Sequence, residues 1–386
     1  MFINFWYPAE ESKNVTAEKP LHVRMLGLDF VLFRDTQGRA HCLSNLCVHR
    51  GAFLADGKVK GDQVECPYHG WQFNGAGACT RIPSMGPNAQ IPNRAKVDRY
   101  PVGDKYCLVF CFLGDLPEEE RPPIMDIPEW DDPTWRFMVQ VYTWKTNWQR
   151  AIENTLDPAH TEFVHPAMGH QGEKQDYAVP KLEPSETPWG CGVMTTFDAP
   201  QASDPNLRGG PKTAGALTSA GAGNHGPAST WTHINPGPMG GFRQYSFGLP
   251  VDEFTYKRFF FGGRNFGLDP AMDERMNAAN NRVMEQDRVV IERIEPVLTP
   301  ETNSREVIVP ADAVIIRFRE FVKDWENRGW RIDTEALAKA RQGNRAYVIP
   351  SPARRTQKGW AIDAVPLVGA SPSVAAAAPG PATATS

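Results

Sequence analysis

Two short segments that each carry a cysteine and a histidine constrain this chain more than any other feature. They read Cys47-Val48-His49 and Cys66-Pro67-Tyr68-His69, with sixteen residues between them. That spacing leaves room for a strand hairpin, so two tight loops can face each other. Cysteine and histidine are the ligands that zinc and iron–sulfur centres take from proteins. The pattern therefore predicts one metal centre enclosed by two loops.

Three interpretations of these four residues compete: a structural Cys₂His₂ zinc site, a [2Fe–2S] cluster with two cysteines on one iron and two histidines on the other, and chance. Two Cys–His pairs this close argue against chance. Zinc fingers usually keep the two cysteines together and place the two histidines on a helix. Here each loop contributes one of each type. The mixed loops favour the cluster.

The number of cysteines does not suggest a disulfide scaffold. The chain has seven cysteines, an odd number, and no export signal at its start. Metal binding is therefore the first explanation to test. The remaining five have no histidine at motif spacing and are expected to be small buried apolar side chains; they are Cys42, Cys79, Cys107, Cys111 and Cys191.

Composition narrows the class of protein. The 386 residues are 41% hydrophobic, which is typical of a globular chain with room for two cores. A formal charge of −4 gives no support to nucleic-acid binding. Neither a signal peptide nor an apolar run of membrane-spanning length is apparent, so we expect a cytoplasmic protein outside the membrane.

Short β-prone segments separated by turn residues predict a first domain over residues 1–115. A proline-rich, charged linker is expected over 116–134, a second domain of mixed strands and helices over 135–365, and a flexible tail over 366–386. Within the second domain, 204–230 is rich in glycine, alanine, proline and serine. This segment predicts an irregular loop, either at the mouth of a substrate pocket, where it orders on binding, or on the surface without a role.

The second domain contains a further pair of histidines. Residues 153–165 read ENTLDPAHTEFVH. Asp157 and His160 are three apart and share a helix face, whereas His160 and His165 are five apart, about 140° of helical rotation. The helix must therefore end or bend between them if both bind one metal. Two histidines with one carboxylate form the facial triad of non-haem Fe(II) sites that activate O₂.

Asp287 is the predicted carboxylate. It lies on an apolar stripe of a predicted helix over 270–295, formed by Met276, Val283, Val290 and Ile294. A buried carboxylate is costly unless it is paired or binds a metal. Glu285 and Glu292 lie off the stripe. The alternative is that Asp287 pairs with a buried arginine.

Both constellations resemble those of Rieske non-haem iron oxygenases. CVHRGA and CPYHGWQF resemble the Rieske motif of ring-hydroxylating oxygenases, and the opening Phe5-Trp6-Tyr7-Pro8 resembles the first strand of such domains. ENTLDPAHTEFVH and MEQDRVVIE are similar to the two iron motifs of the catalytic domain. The short chain resembles the α-only branch, which includes vanillate and dicamba O-demethylases, phthalate-type oxygenases and ketosteroid hydroxylases.

The resemblance implies an α+β protein: an N-terminal antiparallel β-sandwich Rieske domain and a C-terminal α/β catalytic domain with a curved antiparallel sheet of the helix-grip type. It implies a [2Fe–2S] cluster on Cys47, His49, Cys66 and His69. It also implies Fe(II) on His160, His165 and Asp287.

The family resemblance further implies a homotrimer, in which His69 of one chain approaches His160 of the next. Asp157 would connect the two histidines and Asn154 would lie near the iron. A separate NAD(P)H-dependent reductase or a ferredoxin would deliver electrons, since this chain has no dinucleotide-binding motif of its own.

The activity expected is that of a terminal oxygenase, which uses O₂ to hydroxylate or O-demethylate an aromatic or other cyclic apolar substrate. The alternative is a Rieske-type electron-transfer protein with a non-catalytic partner domain.

Substrate contacts are predicted on strands of the second domain. His233 and Asn235 lie on a predicted strand and are candidates for hydrogen bonds to the substrate, with a structural role as the alternative. Phe247 is the candidate for an apolar pocket wall, together with Phe242, Phe259 and Phe261, with plain core packing as the alternative.

Overall fold

The computed structural model describes residues 1–169, 172, 178–179, 181–197, 202–205, 217–235 and 240–369. Its contacts divide the chain into two units. The first contains Met1–Arg121 and the described residues from Glu320 onward, and the second is Pro122–Arg319. None of the helices in the described ranges is long and apolar enough to cross a membrane.

The N-terminal part of the first unit is built from short antiparallel strands, as predicted. They are Phe5–Glu11 (β1), Leu21–Met25 (β2), Leu28–Arg34 (β3), Ala40–Ser44 (β4), Lys58–Lys60 (β5), Gln63–Glu65 (β6), Gln72–Asn74 (β7), Cys79–Arg81 (β8), Arg99–Tyr100 (β9), Val102–Lys105 (β10) and Leu108–Leu113 (β11). Their sheets have the orders β1-β11-β10, β2-β3-β4-β9 and β5-β6-β7-β8. Every residue of β11 is buried, which explains its unbroken apolar sequence.

The second unit is dominated by one seven-stranded antiparallel sheet. Its elements are Arg136–Trp144 (β12), Trp148–Leu156 (α1), Thr161–Val164 (α2), Ser185–Thr187 (β13), Gly190–Phe197 (β14), Thr218–His225 (β15), Ser229–Asn235 (β16), Phe242–Pro250 (β17), Tyr256–Arg264 (β18), Asp273–Ile291 (α3) and Ala313–Asn327 (α4). The strand order is β12-β18-β17-β16-β15-β14-β13. The predicted α+β class, with an antiparallel β-sandwich followed by an antiparallel sheet and helices, is confirmed.

One face of the seven-stranded sheet carries α1 and α3, and we call it the helix-bearing face. Gln140 of β12 donates to the carbonyl of Asn277 on α3, and Arg258 of β18 donates to the carbonyl of Ala151 on α1. α1 also packs on β15, β16 and β17. Because side chains alternate along a strand, the register assigns every residue of these strands to this face or to the opposite one.

Residues 320–365 were predicted to belong to the second domain, but they group with the first unit. They form the end of α4, then Thr334–Arg341 (α5), Tyr347–Val348 (β19) and Asp363–Ala364 (β20). The Tyr100 hydroxyl donates to the carbonyl of Ile349 at 2.7 Å, and Arg354 forms an ion pair with Asp98 at 2.7 Å. These buried contacts attach the C-terminal segment to β9, and the composition of the segment does not reveal them.

The prediction of an irregular loop over 204–230 is wrong for its second half, which forms β15, the turn after it and the start of β16. Gly221 and Gly223 occur in β15 because neighbouring side chains fill the space above them. A Cβ on Gly223 would lie 2.5 Å from the ring of Trp231, and one on Gly221 would lie 2.6 Å from the sulfur of Met194. Residues 206–216 lie outside the described part of the chain.

Four of the five cysteines without a histidine partner are buried, as expected. Cys107 is the exception. It is exposed in the turn between β10 and β11, where its φ of 58° is in the left-handed region. The prediction of a buried apolar role is therefore wrong for Cys107.

Candidate metal centres

The two Cys–His segments of the first unit form a pair of matching turns. The carbonyl of Cys47 accepts from Gly51 N–H at 2.8 Å, and the carbonyl of Cys66 accepts from Gly70 N–H at 3.1 Å. Both glycines have positive φ, 73° and 70°, a conformation that side chains disfavour. The repeated turn therefore presents the cysteine and histidine of each segment in the same way.

The two cysteines and the two histidines of these segments differ in burial. Cys47 and Cys66 are 1% and 2% exposed, whereas His49 and His69 are exposed. The histidine Nδ1 atoms face each other at 3.2 Å, and the ring of Trp71 stacks on His49 at 4.7 Å. Two sulfurs inside and two imidazoles outside match the donor set of a [2Fe–2S] centre with Cys₂ on one iron and His₂ on the other.

Burial raises the pKa of the Cys47 thiol to about 12, with Cys66 as a further cause. Burial and the neighbouring His69 lower the pKa of His49. Both shifts favour the neutral forms. A bound metal cation would favour the thiolate form of both cysteines over the thiol, because metal ligation requires the thiolate.

The second unit brings two histidines to one point through a break between two helices. The Asn147 side chain accepts from Gln149 N–H at 3.0 Å and caps α1. α1 ends at Leu156, before Asp157-Pro158, since the residue before a proline disfavours helical geometry. His160 and His165 then flank the single turn of α2. α2 ends at Val164, and His165 has φ −112° and ψ 67°, outside the helical region, so the helix ends between the two histidines as predicted.

Three ligand atoms converge at this break. His160 Nε2 lies 3.1 Å from His165 Nε2, and Asp287 Oδ1 lies 3.6 Å and 3.3 Å from these two nitrogens. All three atoms are within 4.8 Å of one another. Two imidazoles and one carboxylate, converging in a largely buried position, are the donor set of a facial triad.

The surroundings of Asp287 exclude the alternative that it pairs with an arginine. Its close polar neighbours among the described residues are His165 at 3.3 Å, His160 at 3.6 Å and Asn154, whose amide donates at 3.3 Å. Arg258 contributes to lowering the pKa of Asp287 only as a distant charge, after the two histidines and against the effect of burial. The hydrogen bonds of Arg258 go to α1 and to the sulfur of Met284.

Burial lowers the pKa of His160. At His165 burial acts in the same direction, but the hydrogen bond and charge of Asp287 outweigh it and raise the pKa of His165. The two imidazoles thus differ in environment: burial dominates at His160, and the carboxylate of Asp287 dominates at His165.

Sequence reasoning missed Gln286, which orients His165. Its Oε1 lies 3.2 Å from His165 Nδ1, so that Nε2 is turned toward His160 and Asp287. His160 is oriented in a similar way by the carbonyl of Asp157, 2.5 Å from His160 Nδ1. A residue next to a predicted ligand on the same helix is the one signal that the sequence offers for Gln286.

The three predicted substrate contacts lie on the face of the sheet opposite to α1 and α3. His233 is paired with Arg243 across the strands, and Asn235 accepts from that arginine at 2.9 Å. Phe247 is fully buried against Phe261. Since Asp287 projects from α3, the predicted substrate contacts His233, Asn235 and Phe247 lie on the face of the sheet that points away from this centre.

Family comparisons match both parts of the chain. Residues 5–101 match the family described as the Rieske [2Fe-2S] domain, and residues 144–328 match the vanillate O-demethylase oxygenase C-terminal domain. The iron-sulfur subunit TsaM1 of the toluene-4-sulfonate monooxygenase system of Comamonas testosteroni is 32% identical over 333 residues, which cover 81% of this chain and 94% of the relative.

Comparison with solved structures leads to the same family. The chain is similar to Pseudomonas putida NdmA with caffeine, with a TM-score of 0.72 and 26% identity, covering 84% of this chain and 91% of that one. Dicamba monooxygenase bound to 3,6-dichlorosalicylic acid has a TM-score of 0.69 at 23% identity, covering 83% and 96%, which supports the fold alone. The chain therefore belongs to the Rieske non-haem iron oxygenases and is a terminal oxygenase, with a [2Fe–2S] cluster and a mononuclear iron as its cofactors.

Proposed function

We propose that Cys47, His49, Cys66 and His69 hold the cluster and that His160, His165 and Asp287 hold the mononuclear Fe(II). The observation that carries the proposal is the convergence of the second set in a largely buried position. When bound, the cluster stores an electron and the mononuclear iron activates O₂. An electron carrier with a non-catalytic domain would not need this second set.

We further propose that the protein acts as a homotrimer, in which the exposed His69 passes electrons toward His160 of the neighbouring chain. Asp157 is the proposed connector. Its carboxylate accepts from Ala159 N–H at 2.7 Å, and its side chain is 27% exposed. Asn154 donates to Asp287 and so holds the carboxylate in place. Electrons would come from a separate NAD(P)H-dependent reductase or ferredoxin. Because NAD(P)H is supplied in the cytoplasm, we propose that the protein acts there.

The reaction proposed is hydroxylation or O-demethylation of an aromatic or other cyclic apolar substrate. The test is O₂-dependent product formation with a reductase, across a panel of aromatic acids, aryl ethers and steroids. Purified enzyme should contain about three irons per chain, two in the cluster and one in the triad. An enzyme with about two irons per chain and no product from any substrate would support the carrier instead.

A wall for the substrate follows from the exposure of the helix-bearing face. One row of paired residues across β15–β18 is almost fully covered, at 1–5% exposure; it consists of Asn224, Thr230, Ser246 and Phe260. In the next row, Ala222, Thr232 and Gln244 are only partly buried. Open space beside the ligand-bearing helices therefore begins at this second row.

Two polar side chains of this row are without partners. Thr232 and Gln244 face each other across β16 and β17, and neither side chain has a hydrogen-bond partner within the described ranges. Gln244 is also paired with Gly262, where a Cβ would lie 2.8 Å from the amide of Asn280 on α3. We propose that Thr232 and Gln244 hydrogen-bond a polar group of the substrate, while the small side chain of Ala222 leaves room for its ring.

Gln244→Met is expected to raise KM about tenfold, since a lost hydrogen bond to a buried group costs about 1–2 kcal/mol. The matched control is Asn235→Leu on the opposite face, which removes the contact with Arg243. This control should lower Tm but leave KM unchanged. The KM of both variants is measured by steady-state kinetics with the best substrate of the panel. A KM effect in Asn235→Leu and none in Gln244→Met would show that the wall is on the other face.

Gln286→Leu is expected to weaken iron binding about 10–100-fold, the usual effect of removing a hydrogen-bond partner of a ligating histidine. The cluster spectrum should not change. Gln286→Glu keeps an acceptor for His165 Nδ1 and should retain the iron. Iron per chain is measured after dialysis against graded concentrations of a chelator, with Glu285→Gln, an exposed neighbour, as the control. Equal iron retention in Gln286→Leu and wild type would remove this residue from the site.

A further inference from the structure

A cavity of about 220 Å³ in the first unit is separate from the residues of both metal centres. It lies between the sheet β2-β3-β4-β9 and the chain that follows α5. Residues from β3, β4 and β9 form one side and residues 345–349 form the other. Neither the predicted motifs nor the proposed reaction uses this space.

The inner wall of the cavity combines apolar side chains with a buried hydroxyl. Phe30, Tyr100 and Ile349 contribute to its wall and are at most 1% exposed. Ser44 belongs to the same wall, is 2% exposed, and its hydroxyl has no hydrogen-bond partner among the described residues. A buried hydroxyl without a partner is costly. An occupant with an acceptor atom would satisfy it.

The mouth of the cavity is cationic. Arg24, Arg341 and Arg345 lie along it with a single carboxylate, Asp29. Asp29 is already shared by Arg24 at 3.3 Å and His22 at 2.9 Å. The charge of Asp363 also acts on Arg345, so three guanidinium groups face two carboxylates, one of them already shared, and an excess of positive charge remains.

Arg341 is held at this mouth with donors to spare. One of its nitrogens donates to the carbonyl of Gly27 at 2.7 Å, and that is its one hydrogen bond in the described structure. Burial and the nearby charge of Arg24 lower the pKa of Arg341. A guanidinium with free N–H groups beside a second one is suited to bind a carboxylate through paired hydrogen bonds.

We propose that this cavity binds a small carboxylate with an apolar body, of the size of a benzoate. The ring would lie against Phe30 and Tyr100, and the carboxylate would lie between Arg24 and Arg341. Apolar walls contribute affinity through burial of the ring, and the arginines select for the charge. This proposal is independent of the assignment of the iron ligands, because no residue is shared.

The test uses the full chain with both cofactors and the probe 4-bromobenzoate. Crystals soaked with the probe should show bromine anomalous density in this cavity. Calorimetry should show binding that 4-bromobenzamide, the uncharged analogue, reproduces at least tenfold more weakly. Bromine density at the mononuclear iron alone, or no density, overturns the proposal. Equal binding of the amide overturns the role of the arginines.

Variants separate this site from the reaction site. Arg341→Ala with Arg345→Ala should weaken probe binding at least tenfold and leave the cluster spectrum unchanged, since both side chains are exposed. Arg94→Ala, an exposed arginine outside the cavity, is the matched control and should bind the probe normally. Ser44→Ala should leave the Tm of the free protein unchanged or raise it, and it should weaken binding of the probe. Unchanged probe binding in the double variant contradicts the proposal.

Discussion

Replacement of His69 with alanine is expected to remove the Rieske-type EPR signal of the reduced protein, its reddish-brown colour and its turnover. His69 and His49 present their Nδ1 atoms to each other at 3.2 Å and are the proposed ligands of the outer iron. A [2Fe–2S] cluster whose outer iron keeps only one of its two protein ligands is expected to be lost as a whole from this exposed position. Iron should fall from about three to about one per chain, since the triad is in the other unit.

The effect should be one of ligand loss and not of unfolding. His69 is exposed, so its truncation removes little packing, and surface substitutions usually change stability by about 0.5 kcal/mol or less. His22→Ala in the same unit is the matched control, because His22 is also exposed and, within the described part of the chain, its side chain hydrogen-bonds to Asp29 alone. EPR after reduction, visible absorption and iron content are measured for both variants. A colourless wild-type protein with stoichiometric zinc would overturn the cluster assignment.

The positions of both proposed metal centres could be predicted because local spacing determines them. The turn Cys47–Gly51 is repeated at Cys66–Gly70, and each turn is closed by a backbone hydrogen bond within five residues. The end of α1 before Pro158 and the end of α2 before His165 are likewise local features of the chain. These turns and helix ends depend on residues that are close together in the chain, so they can be predicted from the sequence without knowledge of the tertiary structure.

The assignment of Asp287 was right to place it on a buried face, although the predicted stripe was displaced. Val290 is 48% exposed, and the buried positions include Met284 and Ile291 instead. A helix turns by about 100° per residue, so two stripes that differ by one position overlap at some residues. Asp287 belongs to both, and the error at Val290 did not affect it.

The sequence could not determine the face on which the predicted substrate contacts lie, because alternation in a strand leaves the choice of face open. His233 and Thr232 are neighbours in β16, and they point to opposite sides of the sheet. The face that α1 and α3 cover depends on how the helices return over the sheet, which is a long-range property. The prediction favoured aromatic and histidine side chains, whereas Thr232 and Gln244, which are partly buried and have no side-chain partner among the described residues, lie on the helix-bearing face.

Replacement of Asp287 with alanine is expected to remove the mononuclear iron and all turnover while leaving the cluster spectrum intact. The carboxylate is 5% exposed and is hydrogen-bonded to Asn154 as well as facing both histidines. Without it, two imidazoles remain, which is too few ligands to keep Fe(II) against dialysis. Iron should fall from about three to about two per chain, and product formation should fall to background.

The control for this loss is Glu285→Ala on the same helix. Glu285 is exposed and forms an ion pair with Arg288, so its removal should leave iron and turnover unchanged. Asp287→Glu keeps the charge but extends the side chain by one methylene, and it should retain less iron than the wild type and more than alanine. Retention is compared by metal analysis after dialysis against a chelator, with the cluster spectrum as the internal measure of folding. If Glu285→Ala lost the iron and Asp287→Ala kept it, the third ligand would be misassigned, because the two side chains lie on different faces of α3.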